Sequence, residues 1–201
     1  MSDKYLTVTS SGEGFYSEKR SRFLAFALHV EHEEEVKTLV ADFRKKYFDA
    51  RHVCYAYVLG CDADRTRAND DGEPSGSAGQ PILRQLRSFG VTYTLVVVVR
   101  YYGGINLGTG GLVVAYKTAA YEALSAAMIE EKFVMRRARL LVAYPEVDKV
   151  MRCLKEVGAE IVERNYTATD TELVFVYINN SASERTVPWG RYAEISENLS
   201  E

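Results

Sequence analysis

Cysteine is scarce in this chain: Cys54, Cys61 and Cys153 are all it has in 201 residues. The number is odd, the spacing is wide and no C-x-x-C pair occurs, which excludes a zinc knuckle or a disulfide framework as the organising device. Such usage suits a reducing compartment, and a cytoplasmic location is expected. Long apolar runs are missing too. No stretch of about 18 consecutive apolar residues exists, so no membrane-spanning helix is expected. The opening MSDKYLTVTS lacks the apolar core of a secretory signal. There is also no excess of positive charge: 25 Lys plus Arg face 28 Asp plus Glu, a net charge of −3. That excludes bulk attraction to nucleic acid or anionic lipid and leaves only local basic faces, such as Lys19, Arg20 and Arg22, or Arg84 and Arg87.

What is present is enough for a packed core, with 47% of residues hydrophobic. YLTVT and GFYSEKR read as extended. In RFLAFALHV, Phe23, Ala25 and Ala27 share one face and Leu24, Phe26 and Leu28 the other, the pattern of an interior strand covered on both sides. Val36, Leu39, Val40, Phe43 and Tyr47 follow helical spacing, with Glu33–Glu35 opening and Arg44–Lys46 closing the helix as its dipole favours. HVCYAYVLG and VTYTLVVVVR read as strands, and PILRQLRSF as a helix stopped by Gly90. From residue 136 the order is strand, helix, strand, strand, with Pro145 at the helix start, Gly158 at its end and a hairpin in ERNYTATDTELVF. A βαββ order over about 65 residues predicts a small ferredoxin-like domain. The expected fold class is α+β in two domains, residues 1–135 and 136–201, with no Pro/Gly linker between them. In the tail, Pro188 and Gly190 interrupt the pattern, and SERTVPWGRYAEISENLSE does not read as a continuous closing helix.

Two glycine-rich loops carry the candidate chemistry. In NDDGEPSGSAGQP, Asp71-Gly72 is a turn signal, Gly76 and Gly79 permit close backbone approach, and Ser75 or Ser77 is placed to cap the following helix. Asp70, Asp71 and Glu73 suit a hard cation such as magnesium held beside a phosphate, or else simply build a tight, capped turn. In RYYGGINLGTGG, Gly103, Gly104, Gly108, Thr109 and Gly110 lead into a helix N-terminus, where unpaired N–H groups favour an anion. Arg100 would add a bidentate grip, and Tyr101 and Tyr102 stacking surfaces. The alternative is a corner in which glycines let helix and sheet pack closely. Neither a Gly-Lys-Ser/Thr loop nor a dinucleotide fingerprint is present. His52 and Cys54 share a strand face but lie roughly 7 Å apart by the strand rise, too far for direct activation of the thiol. No catalytic residue, metal or cofactor is assigned.

Together RSRFLAF, HVCYAYVLG, NDDGEPSGSAGQPIL and VVVVRYYGGINLGTGGLVVAY, in this order and spacing, resemble the YigZ/IMPACT family over roughly residues 15–130. The resemblance implies an N-terminal domain like the second domain of a small-subunit ribosomal protein, elongation-factor domain IV and the nucleotide half of GHMP kinases. It implies a C-terminal domain like elongation-factor domain V. Eukaryotic IMPACT proteins restrain an amino-acid-starvation kinase through a further N-terminal domain. With the signature beginning near residue 15, that mechanism is not carried over. The implied role is a translation-associated binding protein whose partner is RNA, the ribosome or a translation factor. The alternative is a phosphate-bearing small molecule held by the two loops. No membrane partner is expected.

Overall fold

The computed structural model describes residues 4–178 in full and the backbone of residues 193–199. The chain divides into two compact units, residues 5–132 and residues 133–201 together with 1–4.

The first unit is built on an antiparallel five-stranded sheet in the order β2–β3–β6–β4–β5. Its strands are β2 (Gly12–Glu18), β3 (Ser21–His29), β4 (His52–Leu59), β5 (Arg65–Asn69) and β6 (Thr94–Tyr101). β6 is the central strand, and its run Leu95–Val99 is fully buried, as a strand covered on both faces must be. On one face lie helices α2 (Gly79–Phe89) and α3 (Gly108–Ala126). There Phe23, Ala25, Ala27, Cys54, Ala56, Val96 and Val98 pack with Ile82, Leu86, Tyr116 and the alanines of α3. On the other face lies α1 (Glu33–Lys46), whose Phe43 ring sits 4.9 Å from that of Phe26. The alternation read from RFLAFALHV is therefore the division between two cores. Small residues set how close α3 comes: a Cβ on Gly14 of β2 would meet the backbone nitrogen of Ala123 at 2.4 Å. β1 (Lys4–Ser10) and β7 (Met128–Phe133) form a separate two-stranded ribbon.

The second unit has an antiparallel sheet in the order β11–β8–β10–β9. Its strands are β8 (Met135–Ala143), β9 (Glu160–Tyr166), β10 (Asp170–Ile178) and β11 (Ala193–Leu199). Helix α4 (Val147–Glu156) buries Val150 and Leu154 against Leu140, Leu173 and Phe175. Pro145 sits in a short 3₁₀ turn leading into α4, where its missing N–H costs nothing. The fold class is α+β. The backbone of the last part of the tail is a strand pairing with β8, neither a helix nor without structure. Pro188 and Gly190 lie outside the described residues.

β5 and β7 did not stand out in the sequence. RTRAN carries no apolar alternation, because β5 is an edge strand bonded on one side only, to β4. Among the described residues no helix is long and apolar enough to cross a membrane.

Candidate functional site

Strand register places three residues in one row at one end of the sheet. Arg100 of β6 is paired with Phe23 of β3 on one side and His52 of β4 on the other. The first loop closes over this row, because Asp70 fastens it. One carboxylate oxygen of Asp70 accepts the N–H groups of Ala78 (3.0 Å) and Gly79 (2.8 Å), and the other accepts that of Gly76 (2.8 Å). Asp70 thus caps α2 from eight residues upstream. This corrects the serine cap expected from the sequence: Ser77 Oγ donates instead to the Pro74 carbonyl at 2.6 Å, and Ser75 is exposed. Asp71 also turns inward, accepting the Val53 N–H at 2.6 Å and pairing with Arg44. Every carboxylate oxygen of these two acids thus already accepts from one of the chain's own donors. Among the described residues no cluster of His, Cys, Asp and Glu could hold a metal ion.

Glu73 lies at the centre. Its Oε1 receives Arg100 Nη1 at 2.5 Å and the Tyr116 hydroxyl at 2.8 Å, with His52 Nε2 at 3.8 Å. The Glu73 and Arg100 side chains are 3% and 6% exposed, so the pair sits where an unmatched charge would be costly. The Arg100 guanidinium lies 5.5 Å from both the Phe23 and the Tyr102 rings, a distance at which ring faces attract cations. Its Nε is buried without an acceptor. Beneath it, Cys54 Sγ contacts the Tyr116 hydroxyl at 3.2 Å and the Asp70 carbonyl at 3.0 Å. Burial pushes the Cys54 thiol far above its ordinary value and does the same to Tyr116, helped there by Cys54 and Glu73. Burial thus favours the neutral form of both groups, which does not activate the Cys54 thiol. His52 Nδ1 lies 2.7 Å from the Asp71 carbonyl. A carbonyl only accepts, so Nδ1 carries the hydrogen, and in the neutral ring Nε2 is the acceptor.

The two glycine-rich loops meet above this network. A cleft of about 560 Å³ is bounded by Glu73 and Pro74 of the first loop and by Tyr102, Asn106, Gly108 and Thr109 of the second, with Arg100, Arg51 and His52 also at its wall. A second depression shares Arg51 and Tyr102 with it and adds Arg20, Arg22, Asp49 and Tyr101. Gly103 serves the corner: a Cβ there would lie 2.1 Å from the carbonyl carbon of Arg20, so the second loop crosses the β2–β3 turn in direct contact. Asp70, Asp71, Gly72, Ser75, Ser77, Gly79, Gly104 and Gly110 stay off the lining of both hollows. Arg51 and His52 were missed as site residues. Their signal was weak, since only register with Arg100 brings them there.

The sequence of residues 19–124 matches the Impact N-terminal domain. The chain is 36% identical over 167 residues to the IMPACT family member YvyE of Bacillus subtilis, covering 83% of this chain and 77% of that one. It is 39% identical over 152 residues to the IMPACT family member YigZ of Escherichia coli, covering 75% and 74%. The chain belongs to the IMPACT family. A crystal structure of a hypothetical protein, 34% identical, superposes with a TM-score of 0.71 over 89% of this chain and 87% of that one. In this family member, then, the signature RYYGGINLGTGG shapes one wall of a cleft whose other wall is EP of the first loop.

Proposed function

We propose that the first unit binds single-stranded RNA across the depression formed by Arg20, Arg22, Arg51, Tyr101 and Tyr102, and that the protein works in translation in the cytoplasm. The observation that carries this reading is the convergence of three arginines without ion-pair partners. Among the described residues, none of Arg20, Arg22 and Arg51 has a carboxylate within pairing distance. Unmatched guanidinium groups on one surface suit phosphates. Aromatic faces accompany them: Tyr101 and Tyr102 line the same depression, and Tyr102 is 47% exposed. Bases stack on such rings with little regard to sequence.

The β2–β3 turn supports the same reading. Lys19 and Arg20 form a two-residue turn with φ of +45° and +66°. Asn-Gly is the residue pair such a turn prefers, and left-handed backbone costs an ordinary residue roughly 1–2 kcal/mol. Holding two cations there at that cost points to a use for them. The eukaryotic side of the family resemblance supports the place in translation.

Fluorescence anisotropy with a labelled single-stranded RNA across a salt series tests the reading. Three phosphate contacts should give a slope of log affinity against log salt of about −2, since each contact on a single strand contributes about −0.7. Alanine at Arg22 or Arg51 should weaken every RNA sequence alike. Flat titrations at low salt, or affinity indifferent to these arginines, would refute it. Cosedimentation with ribosomal subunits tests the cellular role.

A further inference from the structure

We infer that the cleft between the two glycine-rich loops is a subsite for a phosphate monoester, carried either by the end of a bound RNA strand or by a free nucleoside monophosphate. The inference rests on the reading of the adjoining surface for its polymer form and is independent of it for the mononucleotide.

The size fits, since about 560 Å³ lies within the range of small-ligand pockets. So does the charge. The wall carries Arg51 and Arg100 against a single carboxylate, Glu73. That carboxylate is already neutralised by Arg100 at 2.5 Å and bonded by Tyr116, so it neither calls for a cation nor leaves an unbalanced negative charge facing the cleft. Arg100 is 5% exposed and lines the cleft wall with its guanidinium paired to Glu73, so the site carries a fixed cation at its base. His52 is held through Nδ1, while its Nε2 makes no hydrogen bond among the described residues and lies 3.8 Å from Glu73 Oε1. When protonated it donates from Nε2; when neutral it accepts from a phosphate hydroxyl.

The two helix ends near the site differ in a telling way. The N-terminal N–H groups of α2 are filled by Asp70. The N-terminal turn of α3, with Gly108 and Thr109 on the cleft wall, has no side-chain cap. A phosphate between Arg51, His52 and this turn would complete it as Asp70 completes α2. The nucleoside would extend toward Tyr102, the residue shared with the outer depression.

The test uses the full chain and two probes. In the first arm, uridine 5′-monophosphate and uridine are titrated while imidazole signals are followed by NMR. The chain has three histidines, so His29 and His32 serve as internal references. The monophosphate should shift His52 saturably, and uridine should not. In the second arm, the same oligonucleotide is compared with a 5′-phosphate and with a 5′-hydroxyl, and the phosphate should tighten binding about tenfold. Thr109→Glu adds an acid to the first turn of α3, where the helix dipole tolerates it. Its thermal midpoint should hold or rise while both phosphate effects disappear.

A response to the mononucleotide with no RNA binding keeps the subsite and refutes the outer surface. A gain from the 5′-phosphate without a mononucleotide response assigns the phosphate to the strand end. Equal binding of both oligonucleotides with His52 unmoved overturns the subsite, whatever the unphosphorylated strand does. So do phosphate effects that survive Thr109→Glu.

Discussion

Glu73 shows how much one side chain organises here. It receives a guanidinium and a phenol on the same oxygen, which anchors the first loop to β6 and to α3 at once. Glu73→Gln should leave Arg100 buried without a counter-charge and cost about 3–5 kcal/mol, read from urea denaturation. Tyr116→Phe removes one hydrogen bond each to Glu73 and Cys54, for about 1–2 kcal/mol. The double variant should cost less than the sum, because both changes act on one network. A near-wild-type stability for Glu73→Gln would mean that the pair contributes nothing. The sequence marked Glu73 and Arg100 as site candidates. It could not pair them, since they are 27 positions apart and meet only when the first loop folds back over the sheet.

At the scale of elements, two short turns do unequal work. The first loop is fixed by Asp70, which takes three backbone N–H groups. Asp70→Ala should cost at least the roughly 2 kcal/mol at the upper end for helix caps, and it should loosen the wall of the cleft. Hydrogen exchange at Gly76, Ala78 and Gly79 would report it; unchanged protection there would contradict the capping role. The β2–β3 turn behaves in the opposite sense. Replacing Lys19-Arg20 by Asn-Gly should stabilise the fold by about 1–2 kcal/mol while weakening RNA binding. A variant that is both less stable and equally good at binding would remove the functional reason for this turn. The acids of the first loop looked like cation ligands because Asp-Asp-Gly-Glu reads the same whether its carboxylates face solvent or backbone donors. Direction is a tertiary property.

At the scale of the whole molecule, the buried network sets a response to pH. Cys54 and Tyr116 ionise ordinarily at 9.0 and 10.0, and burial raises both in the folded state. The unfolded chain therefore gives up these protons first. Stability is intact below about pH 9 and falls as pH rises beyond it, by about 1.4 kcal/mol per pH unit for each group once its ordinary value is passed. Urea midpoints between pH 8 and 11, under reducing conditions, check this. Cys54→Ala with Tyr116→Phe should flatten the decline, and an unchanged slope would assign it elsewhere. The net charge of −3 bears on function at the same scale. Binding to an acidic polymer must be local and salt-sensitive, because the far field of the protein does not assist it.

By itself the sequence determined the strands and helices whose periodicity is strong. The alternation in RFLAFALHV, the apolar run of β6 and the amphipathic spacing of α1 each follow from which side chains must leave water. It also determined the family, through the fixed order of its glycine-rich signature. It did not determine β5 or β7, whose residues lack an apolar alternation, nor the strand that ends the tail. Only the tertiary structure decided that Asp70 and Asp71 bond inward, that the two loops share a cleft, and that Arg51 and His52 stand beside Arg100. The reason is register: residues far apart in the chain become neighbours only when β4, β6 and β3 align their hydrogen bonds. Periodicity reports which face a residue takes but not which strand lies next to it.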